Sequence, residues 1–221
     1  SEQHVPQQWG NAPVLNVGDE GTRLEFKTSI VFAPGKENEP DIDTQLDTVI
    51  RELCAFMNTE GGELYIGVHD KTKRVVGFKD DYDHINDGED RFAGSYSKNR
   101  DGYQLKIRNA IDWKCTSVAN SLIEFEFNDV DGAEYCKITV KKAQRPIWFN
   151  QTQLWIRQGC RLKQLKGDDI TLHVASLMEV TIKSRLEIEG VDSPVSSLTK
   201  EDLEEMIRKI TNERKQVDIP L

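Results

Sequence analysis

Three carboxylates and a lysine near the start of the chain have the types and spacing for phosphodiester chemistry: Glu20, Glu25 and Asp70, with Lys27 beside them. Carboxylate oxygens are the ligands that Mg²⁺ or Mn²⁺ prefers. A metal held by them can activate water against phosphorus while a lysine steadies the phosphate. Glu25 and Lys27 fall on one side of an alternating stretch, Leu24 to Ser29, whose other side carries Leu24, Phe26 and Thr28. This pattern predicts a half-buried strand with Glu25 on its polar face. Asp70 ends a second apolar stretch, Glu63 to Val68, where a side chain can reach past a sheet edge. Glu20 lies five residues before Glu25, so a straight strand would put the two on opposite faces. Convergence requires a bend, which Gly18 and Gly21 permit. In a chain with 38 acidic residues, three solvated carboxylates are the ordinary alternative.

A second set of residues points to nucleic acid. The formal net charge is −9, yet from Lys137 to Gly167 there is no Asp or Glu and there are eight Lys or Arg. Binding follows the local field rather than the total, so a basic stretch in an acidic chain is informative. Lys141, Lys142, Arg145, Arg157, Arg161 and Lys163 are the candidate phosphate contacts. Trp148, Phe149 and Trp155 are interleaved with them and suit either base stacking or the core. His69, next to Asp70, reads as a turn histidine, with a role as base or ligand the alternative. Cys54, Cys115, Cys136 and Cys160 stand singly, with no CxxC pair and no His at ligand spacing, so no structural zinc is expected. Core packing accounts for Cys54 and Cys136, and a reduced, cytoplasmic protein is the default. No G-x4-G-K-[ST] word occurs, and Gly61-Gly62 precede a strand rather than a helix, so no ATP site is expected.

The elements that must position these groups follow from periodicity. Thr44 to Asn58 places Leu46, Val49, Ile50, Leu53, Phe56 and Met57 at helical spacing, and Gly61-Gly62 end it. Arg74 to Phe78 returns after Asp70 to Lys73 as a hairpin, and residues 79–102 read as a mobile surface loop. A helix is expected over Tyr103 to Ile111. Ser121 to Asn128 and Glu134 to Lys142 form strands joined through Asp131-Gly132, and Ile147 to Arg157 forms another hairpin. Asp168 opens a helix to about Leu186. Residues 1–17 read as an N-terminal arm, 18–187 as one domain, 188–197 as a linker and 198–221 as a C-terminal helix leading toward a further domain. The chain starts at Ser1 without Met, which fits a piece of a longer protein. The implied class is α/β (α+β): a mixed sheet with hairpins and packed helices. At 221 residues such a domain can bury a core without disulfides, and no apolar run is long enough to span a membrane.

Read in their local words, the acidic residues gain a context. The words Glu20-Gly-Thr-Arg-Leu-Glu25-Phe26-Lys27 and Ala55-Phe56-Met57-Asn58-Thr59-Glu60-Gly61-Gly62, the latter running through Gly67-Val68-His69-Asp70, resemble the Schlafen AlbA-type domain family. Leu154 to Arg161 is similar to that family's closing strand and turn, and the likeness spans about residues 18–180. The resemblance implies an AlbA-like fold, described in bacterial proteins as a DNA-binding domain. In some Schlafen relatives it is a metal-dependent ribonuclease acting on structured RNA such as tRNA. Its catalytic acids carry over to Glu20, Glu25 and Asp70. The chain departs from animal Schlafens in two ways. It lacks their His/Cys zinc cluster, offering only Cys115 and Ala143-Gln144 in the matching regions, and it has one lobe where they have two. A homodimer is the expected way to restore a two-lobed groove by symmetry.

Three functions remain open from the sequence. The first is a nucleic-acid-binding module of a bacterial regulator or defence-type protein, binding through the basic hairpin region. The second is a Mg²⁺- or Mn²⁺-dependent endoribonuclease using Glu20, Glu25 and Asp70 with Lys27. The third is a protein-interaction module. No membrane partner is expected.

Overall fold

A computed structural model of the chain describes residues 10–36, 38–189 and 208. The chain divides into two compact units, Ser1–Ala143 with Ile147–Gln164, and Gln144–Pro146 with Leu165–Leu221. Apart from residues 188, 189 and 208, the expected linker (188–197) and C-terminal helix (198–221) lie outside the described residues.

The first unit is built around a four-stranded mixed sheet. Strand β1 (Leu24–Lys27) leads through helix α1 (Ile42–Met57) into a parallel strand, β2 (Gly62–Ile66). Parallel neighbours need such a crossover, and α1 supplies it while covering one face of the sheet. Asp41 caps α1 by accepting a hydrogen bond from the Thr44 amide. A short helix, α2 (Asp81–His84), and a longer one, α3 (Arg100–Lys114), follow. Strands β3 (Ile123–Val130) and β4 (Ala133–Val140) pair as a hairpin, and β4 lies antiparallel to β2, giving the order β1-β2-β4-β3. Asp131 and Gly132 both take positive φ at its turn, as the Asp-Gly pair implies. A three-stranded antiparallel sheet joins β5 (Trp148–Phe149), β6 (Gln153–Gln158) and β7 (Arg161–Gln164). The mixed α/β architecture is the one the sequence predicts, with β7 as an added strand, while the expected return strand Arg74 to Phe78 is reduced to isolated bridges at Arg74 and Val75.

The core lies between the sheet and its helices: Leu53 and Phe56 of α1, Leu64 and Ile66 of β2, Tyr103 and Ile107 of α3, and Cys136 and Ile138 of β4 are all buried. A smaller cluster on the opposite sheet face joins Phe26, Tyr65 and Val68, with Leu15 and Leu24 against it. Part of the N-terminal stretch is therefore tied down rather than loose: the Leu15 amide donates to the Lys73 carbonyl, and Val14 bridges Arg74. The segment 79–102 carries its own buried contacts as well. Asp81 accepts from Ser29 Oγ, the Ile30 amide and Tyr103, while Lys106 pairs with Asp90 at 3.0 Å.

The Asn58-Thr59-Glu60-Gly61-Gly62 word has a physical reading. Gly61 ends α1 with φ of +69°, where a Cβ would sit 2.5 Å from the Val140 carbonyl oxygen. Buried Asn58 donates to the carbonyls of Ile147 and Trp155 and accepts from the Ile147 amide, and Thr59 Oγ1 accepts from the Arg157 amide. The end of α1 thus holds β6 in place.

The second unit contains α4 (Asp168–Glu189), with Asp168 and Asp169 in its first turn, where negative charge is favoured. Leu165 and Leu177 are buried. No helix among the described residues is long and apolar enough to cross a membrane.

Candidate carboxylate site on strand β1

Strand β1 alternates as its sequence predicts, but the faces are reversed. The register aligns Glu25 with Leu64 and Ile138, so Glu25 points to the helix-covered face, and Phe26 points to the smaller cluster. Glu25 is only 5% exposed. Burying a carboxylate there requires a partner, because an isolated charge in a low-dielectric interior is strongly disfavoured.

That partner is Arg157. Its Nη1 donates to Glu25 Oε2 at 2.7 Å and to Glu52 Oε2 at 2.5 Å, and its Nη2 donates to the Gly21 carbonyl at 2.7 Å. Lys27 completes the group, 2.6 Å from Glu25 Oε1 and 3.8 Å from Glu52 Oε1. The guanidinium also lies over the Phe56 ring, 5.0 Å from its centroid, and its Nε is buried without a hydrogen-bond partner. Two carboxylates and two cations therefore form a closed, charge-balanced network of β1, α1 and β6.

This geometry corrects the expectation that Arg157 contacts phosphate. Its side chain has no exposed surface, and its charge is committed to Glu25 and Glu52. Glu52 is absent from the sequence-derived candidates, although its place in α1 carries a signal. It sits three residues after Val49 and four before Phe56, on the buried face of α1. Burial first and then Glu25 push the Glu52 carboxyl up, while Lys27 and Arg157 oppose that shift.

Glu20 and Asp70 lie beside the network. Partial burial, then the Glu25 and Asp70 carboxylates, raise the Glu20 pKa, with Lys27 and Lys73 acting in the other direction. Glu20 thus lies within electrostatic range of both Glu25 and Asp70. Asp70 sits in the turn after β2, where its Oδ1 accepts from the Lys71 amide at 2.8 Å and lies 3.6 Å from His69 Nδ1. His69 Nδ1 faces the amide and hydroxyl of Thr72, consistent with a turn role. Lys73 lies 4.2 Å above the Phe26 ring.

The donor set suits a hard divalent cation chemically, being all oxygen. Each Glu25 oxygen holds one cationic donor and retains a further lone pair. Among the described residues, however, no group of three or more His, Cys, Asp and Glu side chains is arranged to hold a metal ion.

The other predicted cations divide by partner. Lys137 pairs with Glu63 at 2.7 Å, Lys141 with Glu124 at 2.5 Å and Lys142 with Glu60 at 2.8 Å. With Arg157, four of the eight cations in the acid-free segment are therefore paired with carboxylates from elsewhere in the chain. Arg161 on β7 is exposed, with half-buried Lys163 two residues on, and in the second unit Arg145 and Lys166 are exposed. Phe149 is buried, and Trp155 packs half-buried against the core with Arg51 5.5 Å from its ring.

The family model of Schlafen, AlbA_2 matches residues 20–166, a span that contains the whole of this site. The chain belongs to the Schlafen AlbA_2 family. Among solved structures it is similar to the DIP2311 protein from Corynebacterium diphtheriae, at 22% identity with a TM-score of 0.46. That match covers 72% of this chain but only 26% of the other, so the chain spans about a quarter of that protein. No curated protein matches it.

Proposed function

We propose that this Schlafen AlbA_2 domain binds nucleic acid, with the Arg161–Lys163 strand as a contact surface. Membership of the family carries the reading. Arg161 and Lys163 lie two residues apart on β7 and so share a strand face, and Arg161 is exposed. Arg157 holds the carboxylate network and takes no direct part. The test is binding of labelled tRNA and of duplex DNA across a salt series. Replacing Arg161 and Lys163 by Glu should weaken binding roughly tenfold or more and lower the slope of log K against log salt. Unchanged affinity and slope would remove this surface from the account.

A second reading is favoured by the rise in the Glu20 pKa beside Glu25 and Asp70. Like charges held near one another are relieved by a divalent cation, as in a Mg²⁺- or Mn²⁺-dependent endoribonuclease. Glu20, Glu25 and Asp70, which are not arranged as a ligand set in this structure, would have to draw together to hold the metal; it would supply an activated water, while Lys27 would face the phosphate. Arg157 and Glu52 would act through Glu25, keeping its carboxylate in place. Under this reading tRNA is cleaved with Mn²⁺ and not with EDTA, and Asp70→Ala loses cleavage while keeping its melting temperature. Cleavage that persists in Asp70→Ala would reject it.

A further inference from the structure

Two cysteines far apart in the sequence meet inside the first unit, and neither belongs to the carboxylate network. Cys54 is fully buried on α1, and Cys115 is half-buried immediately after α3. Their sulfurs are 3.1 Å apart, in direct contact, although 61 residues separate them. Both are free thiols. A disulfide requires a separation of about 2.0 Å, so closure calls for an approach of only about 1 Å.

The surrounding backbone holds this encounter in place. Cys54 lies within α1, and the Cys115 amide donates to the Ile111 carbonyl at 2.8 Å while Cys115 bridges Phe149. With no group of three or more ligating side chains among the described residues, the pair is not part of a zinc set.

We propose that Cys54 and Cys115 are a modification site, a buried dithiol that closes to an intramolecular disulfide by exchange with a small-molecule disulfide. The Cys115 thiol, nearer solvent, loses its proton and attacks one sulfur of the reagent, forming a mixed disulfide and releasing one thiolate. Cys54 then loses its proton and attacks Cys115 Sγ, expelling the second thiolate. The two cysteines are oxidised by two electrons, the reagent is reduced to two thiols, and the two protons pass to them. The order of attack follows from the surroundings of Cys54, whose thiol pKa is pushed well up by its hydrogen bond to Cys115 and by burial. The bond would staple α1, which carries Glu52, to the end of α3, where Cys115 bridges Phe149 of the β5–β6 hairpin that carries Arg157.

The test uses the full chain with Cys160→Ser, which removes the exposed thiol on the β6–β7 turn that could cross-link copies. The protein is incubated with oxidised glutathione, unfolded, and its thiols counted and peptide-mapped. Loss of two of the three remaining thiols with a Cys54–Cys115 cross-linked peptide is the expected result, reversed by a dithiol reductant. The closed loop should raise the melting temperature by on the order of 10 °C. Adding Cys115→Ser should leave both remaining thiols titratable. Three surviving thiols, a glutathione adduct that persists on Cys115, or a cross-link to Cys136 would overturn the proposal. A cross-linked form melting no higher than the reduced one would overturn the staple.

Discussion

Two buried acids, Glu25 on β1 and Asp81 on α2 against the exit of β1, are satisfied in different ways. Glu25, within β1, meets the opposite charges of Arg157 and Lys27. Asp81, reached from Ser29 and Ile30 just beyond β1, meets only neutral donors: a serine hydroxyl, a backbone amide and the Tyr103 hydroxyl. Burial pushes the Asp81 pKa up to about 6, and its three hydrogen bonds only partly offset that. The comparison separates two solutions to one problem. Counter-charges hold Glu25 within a balanced network that other acids can approach, whereas neutral donors leave Asp81 able to take up a proton near neutrality.

The largest effect should come from breaking the first arrangement. Arg157→Met keeps much of the side-chain volume but leaves Glu25 and Glu52 buried together without their guanidinium, and should cost about 3–5 kcal/mol in denaturant unfolding. A loss below about 1 kcal/mol would show that Lys27 alone suffices and that the network is not what holds β6 to β1.

The second arrangement should show itself through pH. In the folded protein Asp81 titrates near 6 against a usual value of 3.8, so the folded state binds the extra proton between those limits. Its contribution is fully present below about 4 and is lost as pH rises through about 6. Wild type should therefore lose on the order of 2–3 kcal/mol, relative to Asp81→Asn, between pH 4 and pH 7. Parallel stability curves for the two proteins would contradict the raised pKa.

The smallest effect should come from a charge pair that burial does not strengthen. Lys142 and Glu60 pair at 2.8 Å with both side chains largely exposed, and Lys142→Ala should change stability by less than about 1 kcal/mol. A larger loss would mean that the exposed pairs across the sheet contribute as the buried network does.

The contrast also marks what could be read in advance. The alternation of Leu24 to Ser29, the apolar spacing of α1, the Asp131-Gly132 turn and the Asn58 to Gly62 word are all local patterns, and each led to the element or family found. The local words single out Glu20, Glu25, Lys27 and Asp70 as candidates; in the fold Lys27 pairs with Glu25, and Glu20 feels the charges of all three.

Tertiary structure decided the rest. Period two says that Glu25 and Phe26 point opposite ways, but only the placement of α1 determines which of them meets the main core. Arg157 is 132 residues from Glu25 and 105 from Glu52, and Cys54 is 61 from Cys115. No local pattern reports such separations. The basic run between Lys137 and Gly167 is real along the chain, but strand order sets Lys137 against Glu63 and Lys141 against Glu124. Sequence by itself determined the elements, because backbone preference and amphipathic period act over a few residues. Which charges are buried, paired or left facing solvent depended on strand order and packing, because those contacts join residues that only the folded chain brings together.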